Sequence, residues 1–124
     1  MQYSYYKFFK EAISKNYEST ADVVDSLLQF EKLVNYRFKV TKGNDNYWFI
    51  SNLLDLILRD MNFYKMVVTQ RKKVSKVYLL DILNQFKDSI LSEYTTQAEK
   101  MSARIVCDTL KFLNKLISAL NELV

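Results

Sequence analysis

A chain of 124 residues is the length of one domain, and its 49% apolar and 26% charged side chains are those of a folding chain, not a disordered one. With no Pro, no His, one Gly and one Cys beside nine Tyr and eight Phe, it lacks the turn chemistry of hairpins, any imidazole base or ligand, a cysteine-cluster zinc site and an internal disulfide. The formal net charge is +4, too small by itself to imply a polyanionic partner.

The fold expected from this composition is all-α, a single helical bundle of about five to six helices spanning residues 1–124. The opening "MQYSYYKFFKEAISK" has no apolar signal region, and no stretch approaches the roughly eighteen apolar residues of a membrane span. A cytoplasmic protein without a membrane partner is therefore expected. The richness in Lys, Asn, Tyr, Phe and Ile also suits the AT-rich coding sequences of many bacteria, phages and plasmids.

Residues 4–17 read as a helix, because Tyr5, Phe9, Ile13 and Tyr17 recur at four-residue spacing with Tyr6, Phe8 and Ala12 beside them. Lys7, Lys10, Glu11 and Ser14 form its opposite face. One buried stripe does not need that many aromatics, so Tyr3, Tyr6 and Phe8 are expected at its flanks. Tyr3, Tyr5 and Tyr6 become candidate apolar anchors for a partner.

Ser19 or Thr20 can cap a second helix with Asp22 in its first turn, where the helix dipole favours an acid. It should run to about residue 39, burying Val23, Leu27, Phe30, Val34 and Phe38. Around its end lie Lys32, Arg37, Lys39 and Lys42, with no acid between Glu31 and Asp45.

The loop "TKGNDN" at 41–46 holds the only Gly. In "YWFISNLLDLILRD" apolar residues cover most of a helix circumference, leaving Asn52, Asp55 and Arg59 as a narrow polar stripe, so a central, buried helix is expected over 46–59. A break at 60–62 and a turn or two of helix follow. Then "VTQRKKVSK" carries Arg71, Lys72, Lys73 and Lys76 with no acid; without it, fourteen basic residues balance fourteen acidic ones.

Ser75 can cap the next long helix, with Leu79, Leu83, Phe86, Ile90 and Tyr94 as its stripe and Leu80 and Ile82 widening it. Thr96 and Glu99 match a capping box for a last helix over 97–123. That helix should bury Met101, Ile105, Val106, Leu110, Leu113, Leu116, Ile117, Leu120 and Leu123. Its face is wide enough to pack internally or to pair with a copy of itself, which leaves a homodimer open.

These residue types exclude much chemistry. Without His there is no Glu-x-x-His di-iron motif and no HEPN-type ribonuclease, and without a Gly-rich loop there is no P-loop or dinucleotide fingerprint. No catalytic residue, metal ligand or cofactor is expected, and Cys107, followed by Asp108, reads as a buried structural thiol.

The candidate electrostatic contacts are Arg37, Lys39 and Lys42 in the first basic segment and Lys65, Arg71, Lys72, Lys73 and Lys76 in the second. Joined with Lys32 at one end of the bundle, they would form a patch of +9 on a remainder of −5. The second segment also reads simply as a solvated connection between helices.

The segment "LLDLILRDMNFYKMVVTQRKKVSKVYLLDILNQFKDSIL" resembles the middle of the helical effector and dimerisation domain of TetR-type repressors, where a helix ends before an aromatic "FY" turn and a long helix follows. In 124 residues there is no room for that family's DNA-binding domain as well, so operator binding is not implied. By class, the chain is similar to other histidine-free helical bundles: bacteriocin immunity proteins, helical small subunits of type III CRISPR complexes and phage inhibitors of host defence.

The reading that follows is a non-enzymatic helical protein working through protein–protein contact, as an inhibitor, immunity factor or adaptor, with an acidic surface on its partner. A nucleic-acid backbone binder or ribonucleoprotein subunit is the alternative. A small-molecule-binding domain around Trp48 and Phe49, like a TetR-type effector domain, is the third.

Overall fold

The computed structural model, described for residues 5–40, 50–54, 75–96 and 103–123, is an all-α bundle. Its described elements are α1 (Tyr5–Ser14), α2 (Thr20–Val40), a helical stretch at 50–54, α3 (Lys76–Thr96) and α4 (Ala103–Glu122). None of these is long and apolar enough to cross a membrane.

α1 stops three residues before Tyr17, which the four-residue spacing had placed inside the helix. The reason is a better use for its ring. Tyr17 is buried in the connection, its hydroxyl donating to the Ala12 carbonyl at 2.9 Å and meeting Ser26 Oγ at 3.0 Å. The bond to Ala12 satisfies one of the carbonyls that a helix end leaves orphaned.

α2 starts as the residue types require. The Asp22 N–H donates to Ser19 Oγ at 3.3 Å, and the Asp22 carboxylate accepts from the Glu18 N–H at 2.9 Å. This reciprocal pair is a near relative of the capping box. Replacing Ser19 with Ala is expected to lower stability by about 1 kcal/mol, the usual loss for a serine N-cap, readable as a lower urea midpoint at unchanged slope.

α4 is the helix on which the other described helices converge, packing against α1, α2 and α3. The buried face of α4 is shifted by roughly 20° from the expected apolar stripe, towards the side of Phe112 and Ala119. Val106, Leu113, Leu116 and Leu120 are buried as expected, but Ile105, Leu110, Ile117 and Leu123 lie at the margins, and Thr109, Phe112 and Ala119 complete the inner face. Thr109 is tolerated inside because its hydroxyl donates to the Ile105 carbonyl at 2.8 Å.

The centre is a cluster of rings. Phe30 of α2 meets Phe8 at 5.8 Å, Phe9 at 5.9 Å, Phe86 of α3 at 6.4 Å and Phe112 of α4 at 5.0 Å between centroids. Phe8, expected at the flank of α1, is 2% exposed and belongs to this core. Tyr5 packs its ring against Phe9 and Phe30.

In the stretch at 50–54, Ile50 and Leu54 are fully buried while Asn52 is exposed, in keeping with its polar stripe. Ser51 Oγ donates to Asn35 Oδ1 at 2.6 Å and ties this stretch to α2. The rest of the expected helix at 46–59, Trp48 and Phe49 included, lies outside the described residues.

α3 is capped by Ser75, whose Oγ accepts from the Tyr78 N–H at 3.1 Å. Leu79, Ile82, Leu83, Phe86 and Ile90 are buried, with Leu80 and Tyr94 at the edge. Thr96 does not open the last helix. It closes α3, with its hydroxyl on the Ser92 carbonyl at 2.9 Å, and Glu99 lies outside the described residues.

Candidate functional site

Of the predicted contact residues, Tyr3, Lys42, Lys65, Arg71, Lys72 and Lys73 lie outside the described residues. Tyr5, Tyr6, Arg37, Lys39 and Lys76 can be placed, and the structure divides them. Tyr5 is half-buried against the core rings, so it serves packing, whereas Tyr6 is 64% exposed.

Lys76 serves the fold as well. Its ammonium donates to the Leu123 carbonyl at 3.1 Å, just beyond the C-terminal end of α4, where cations are favoured by the helix dipole. The bond also shows that the start of α3 lies beside the end of α4, so the two helices run antiparallel. Lys76→Met is expected to cost about 1 kcal/mol of stability and to leave surface binding unchanged, checked by thermal melting alongside partner binding.

Arg37 follows Leu33 and Val34 at four and three residues, so it projects towards the core side of α2 and is half-buried. It is not part of an exposed basic face. The exposed face of α2 lies opposite Phe30 and Val34 and carries Lys32, Tyr36, Lys39 and Val40. Tyr36 is 43% and Val40 49% exposed.

Sequence reasoning missed Tyr36 and Val40 as surface residues. The signal was present: Tyr36 is two residues, or about 200°, from Val34 on a helix wheel, and Lys32, Tyr36 and Val40 follow one another at four-residue intervals. Large apolar side chains held in water beside lysines are the informative observation on a surface of this kind.

α3 presents the opposite character. Its outward line is Val77, Asp81, Asn84, Asp88 and Leu91, all exposed, with Val77 the most open of the apolar residues at 76%. The only charges among these five are acids. Gln85 donates to the Asp81 carboxylate at 3.3 Å.

Two further features bear on chemistry. Cys107 is exposed, not buried as its apolar neighbours suggested, because it lies about 200° from the buried Thr109 on the helix, on the side of α4 away from the core. A shallow groove of about 290 Å³ runs between α1 and α2, lined by Phe8, Glu11, Ala12, Lys15, Ser26 and Gln29. Ser26 is spoken for by Tyr17, and the Lys15 ammonium stands over the Tyr17 ring at 5.4 Å.

Burial raises the phenol of Tyr17 above the ordinary tyrosine range, the Ser26 hydrogen bond opposes this, and the nearby Asp22 carboxylate adds to it. The phenol is thereby held neutral as a structural donor. No family model, curated protein or solved structure matches the chain.

Proposed function

We propose that this chain is a non-enzymatic helical binding protein that acts through protein–protein contact in the cytoplasm, as an inhibitor, immunity factor or adaptor of bacterial or mobile-element origin. The contact surface is the outward face of α2, where Lys32, Tyr36, Lys39 and Val40 set two ammonium groups beside an exposed ring and an exposed aliphatic side chain. The observation that carries the reading is this juxtaposition. An aromatic anchor flanked by cations suits a partner helix or loop that is both apolar and acidic.

Among the described residues, the placement of two cations favours this reading over the nucleic-acid alternative. Lys76 is bound to Leu123 and Arg37 is half-buried, and Asp25 is exposed on the same side of α2 as Lys32. Phosphate binding draws on many free cations at once, whereas protein recognition draws on a few charges around an apolar centre.

The test uses the full chain and its Lys32→Glu, Lys39→Glu double variant as baits in a lysate of a bacterial host, beside titrations with single- and double-stranded nucleic acid at low and near-physiological salt. A protein retained by the wild type and lost by the variant is expected. Equal retention by both would overturn the assignment of the α2 face. Nucleic-acid binding that persists at near-physiological salt and disappears in the variant would move the chain to the backbone-binding class.

A further inference from the structure

The outward faces of α2 and α3 are complementary in charge and in spacing, and we infer that α3 of a second copy of this chain docks on the α2 face. The inference rests on the reading of the α2 face as a protein-contact surface and names an occupant for it. Lys32 and Lys39 are seven residues apart on α2, and Asp81 and Asp88 are seven residues apart on α3. Each pair therefore spans about 10.5 Å of helix axis.

Direction follows from the other positions. In an antiparallel alignment with Lys39 over Asp81 and Lys32 over Asp88, Tyr36 falls over Asn84 and Gln29 over Leu91, all four on the outward lines of the two helices. The steps along each line alternate between three and four residues, the repeat that lets two helices keep one seam in contact. A parallel alignment matching the same charges sets Gln29 against Tyr78, which is half-buried and off the line. The antiparallel register keeps every pair from Gln29 to Lys39 on the outward lines, with the exposed Asp25 over the exposed Thr95 beyond them.

Neither lysine has another hydrogen bond or ion pair among the described residues, and the same holds for Asp88. The seam is polar, with Tyr36 and Leu91 as its apolar contacts, so the association is weak and sensitive to salt. It is also head-to-tail. Phe30 and Phe86 meet inside the bundle at 6.4 Å, so the backs of α2 and α3 face away from each other. A copy bound on the α2 side leaves its own α2 face open for the next, and the contact propagates into a chain or closes into a ring.

Sedimentation equilibrium over a range of protein concentrations tests this with four proteins: the wild type, K32E/K39E, D81K/D88K and the fourfold variant that exchanges all the charges. The expected result is a wild-type average mass that climbs from the 14.7 kDa monomer past about twofold at low ionic strength and falls back in about 0.5 M salt, where screening lengths shrink to a few Å. Each double variant stays monomeric. The fourfold variant associates again, as does an equimolar mixture of the two double variants, because opposite charges face each other across every contact.

Circular dichroism confirms that the variants, all changed at exposed positions, retain the helical fold. A wild type that stays monomeric throughout the low-salt range, or a fourfold variant that fails to associate while folded, overturns the inference. Host-protein capture by the wild type and its loss in K32E/K39E uses no α3 variant, so it judges the α2 face separately from its self-recognition.

Discussion

Replacing Phe30 with Ala should remove about 3–5 kcal/mol of stability, the range for a large aromatic deleted from a packed core. Phe30 has no exposed surface and its ring stands 5.0–6.4 Å from those of Tyr5, Phe8, Phe9, Phe86 and Phe112. The cost has two parts, the lost burial of the ring and the cavity left among rings that belong to three helices. Those helices cannot all move inward at once to close it. Since domains of this size are stable by only about 5–15 kcal/mol, the variant should be partly unfolded at moderate urea or fail to fold. Tyr6→Ala, at a side chain 64% exposed, should change stability by no more than about 0.5 kcal/mol. Equal urea midpoints for the two variants would contradict the placement of α1 and α2 about the ring cluster.

Tyr17→Phe carries the second large effect, about 1–3 kcal/mol, because removing the hydroxyl leaves Ser26 and the Ala12 carbonyl short of a partner in a buried site. The same phenol gives stability a dependence on pH. Its folded pKa is raised, chiefly by burial, so the native state holds the phenolic proton more tightly than the unfolded chain does. Stability from this source is complete below the ordinary tyrosine value of about 10 and is lost as pH rises towards and through the raised value. Urea unfolding at rising alkaline pH should show a steeper decline for the wild type than for Tyr17→Phe. The phenol of Tyr78, raised by burial and by Asp81, adds to the decline in both proteins. Parallel declines in the two proteins would show that Tyr17 ionises as freely folded as unfolded.

The bundle was legible because its signals are local. Ser75, and Ser19 of the pair Ser19 and Thr20, were expected as caps from residue type and position, and each accepts a backbone N–H three residues on. The stripe of α2 is buried at Val23, Leu27, Phe30 and Val34, while Phe38, expected with them, is half-buried. Reading failed where two apolar lines compete on one helix. In α4 the aliphatic residues Ile105, Leu110 and Ile117 look stronger by residue type than Thr109 and Ala119, yet they lie at the margins, and the ring cluster draws in the side that carries Phe112. Only the positions of Phe8 and Phe30 in space decide between them, and no pattern within α4 contains those positions.

The candidate surface was less legible for a related reason. A charge count treats Arg37, Lys39 and Lys76 alike, whereas geometry gives them three fates: half-buried on the core side, exposed, and bound to the Leu123 carbonyl. Tyr5 and Phe8 show the same limit for aromatics. An excess over the needs of one helix face suggests a partner, but Tyr5 and Phe8 are taken up by α2 and α4 of the same chain, and Tyr6 stays exposed.

The contact between Phe8 and Phe112, with ring centroids 5.2 Å apart, joins the first described helix to the last. On a ribosome the chain therefore emerges with Phe8 and Phe9 lacking a wall of their pocket until α4 has left the exit tunnel. The antiparallel pair α3 and α4 can form through contacts closer in sequence, but closure around the rings waits until α4 has been made, since long-range contacts demand the ordering of all the chain between them. Until then Phe8 and Phe9 have only α2, through Phe30, to pack against, and the side of α1 that α4 will cover stays in water.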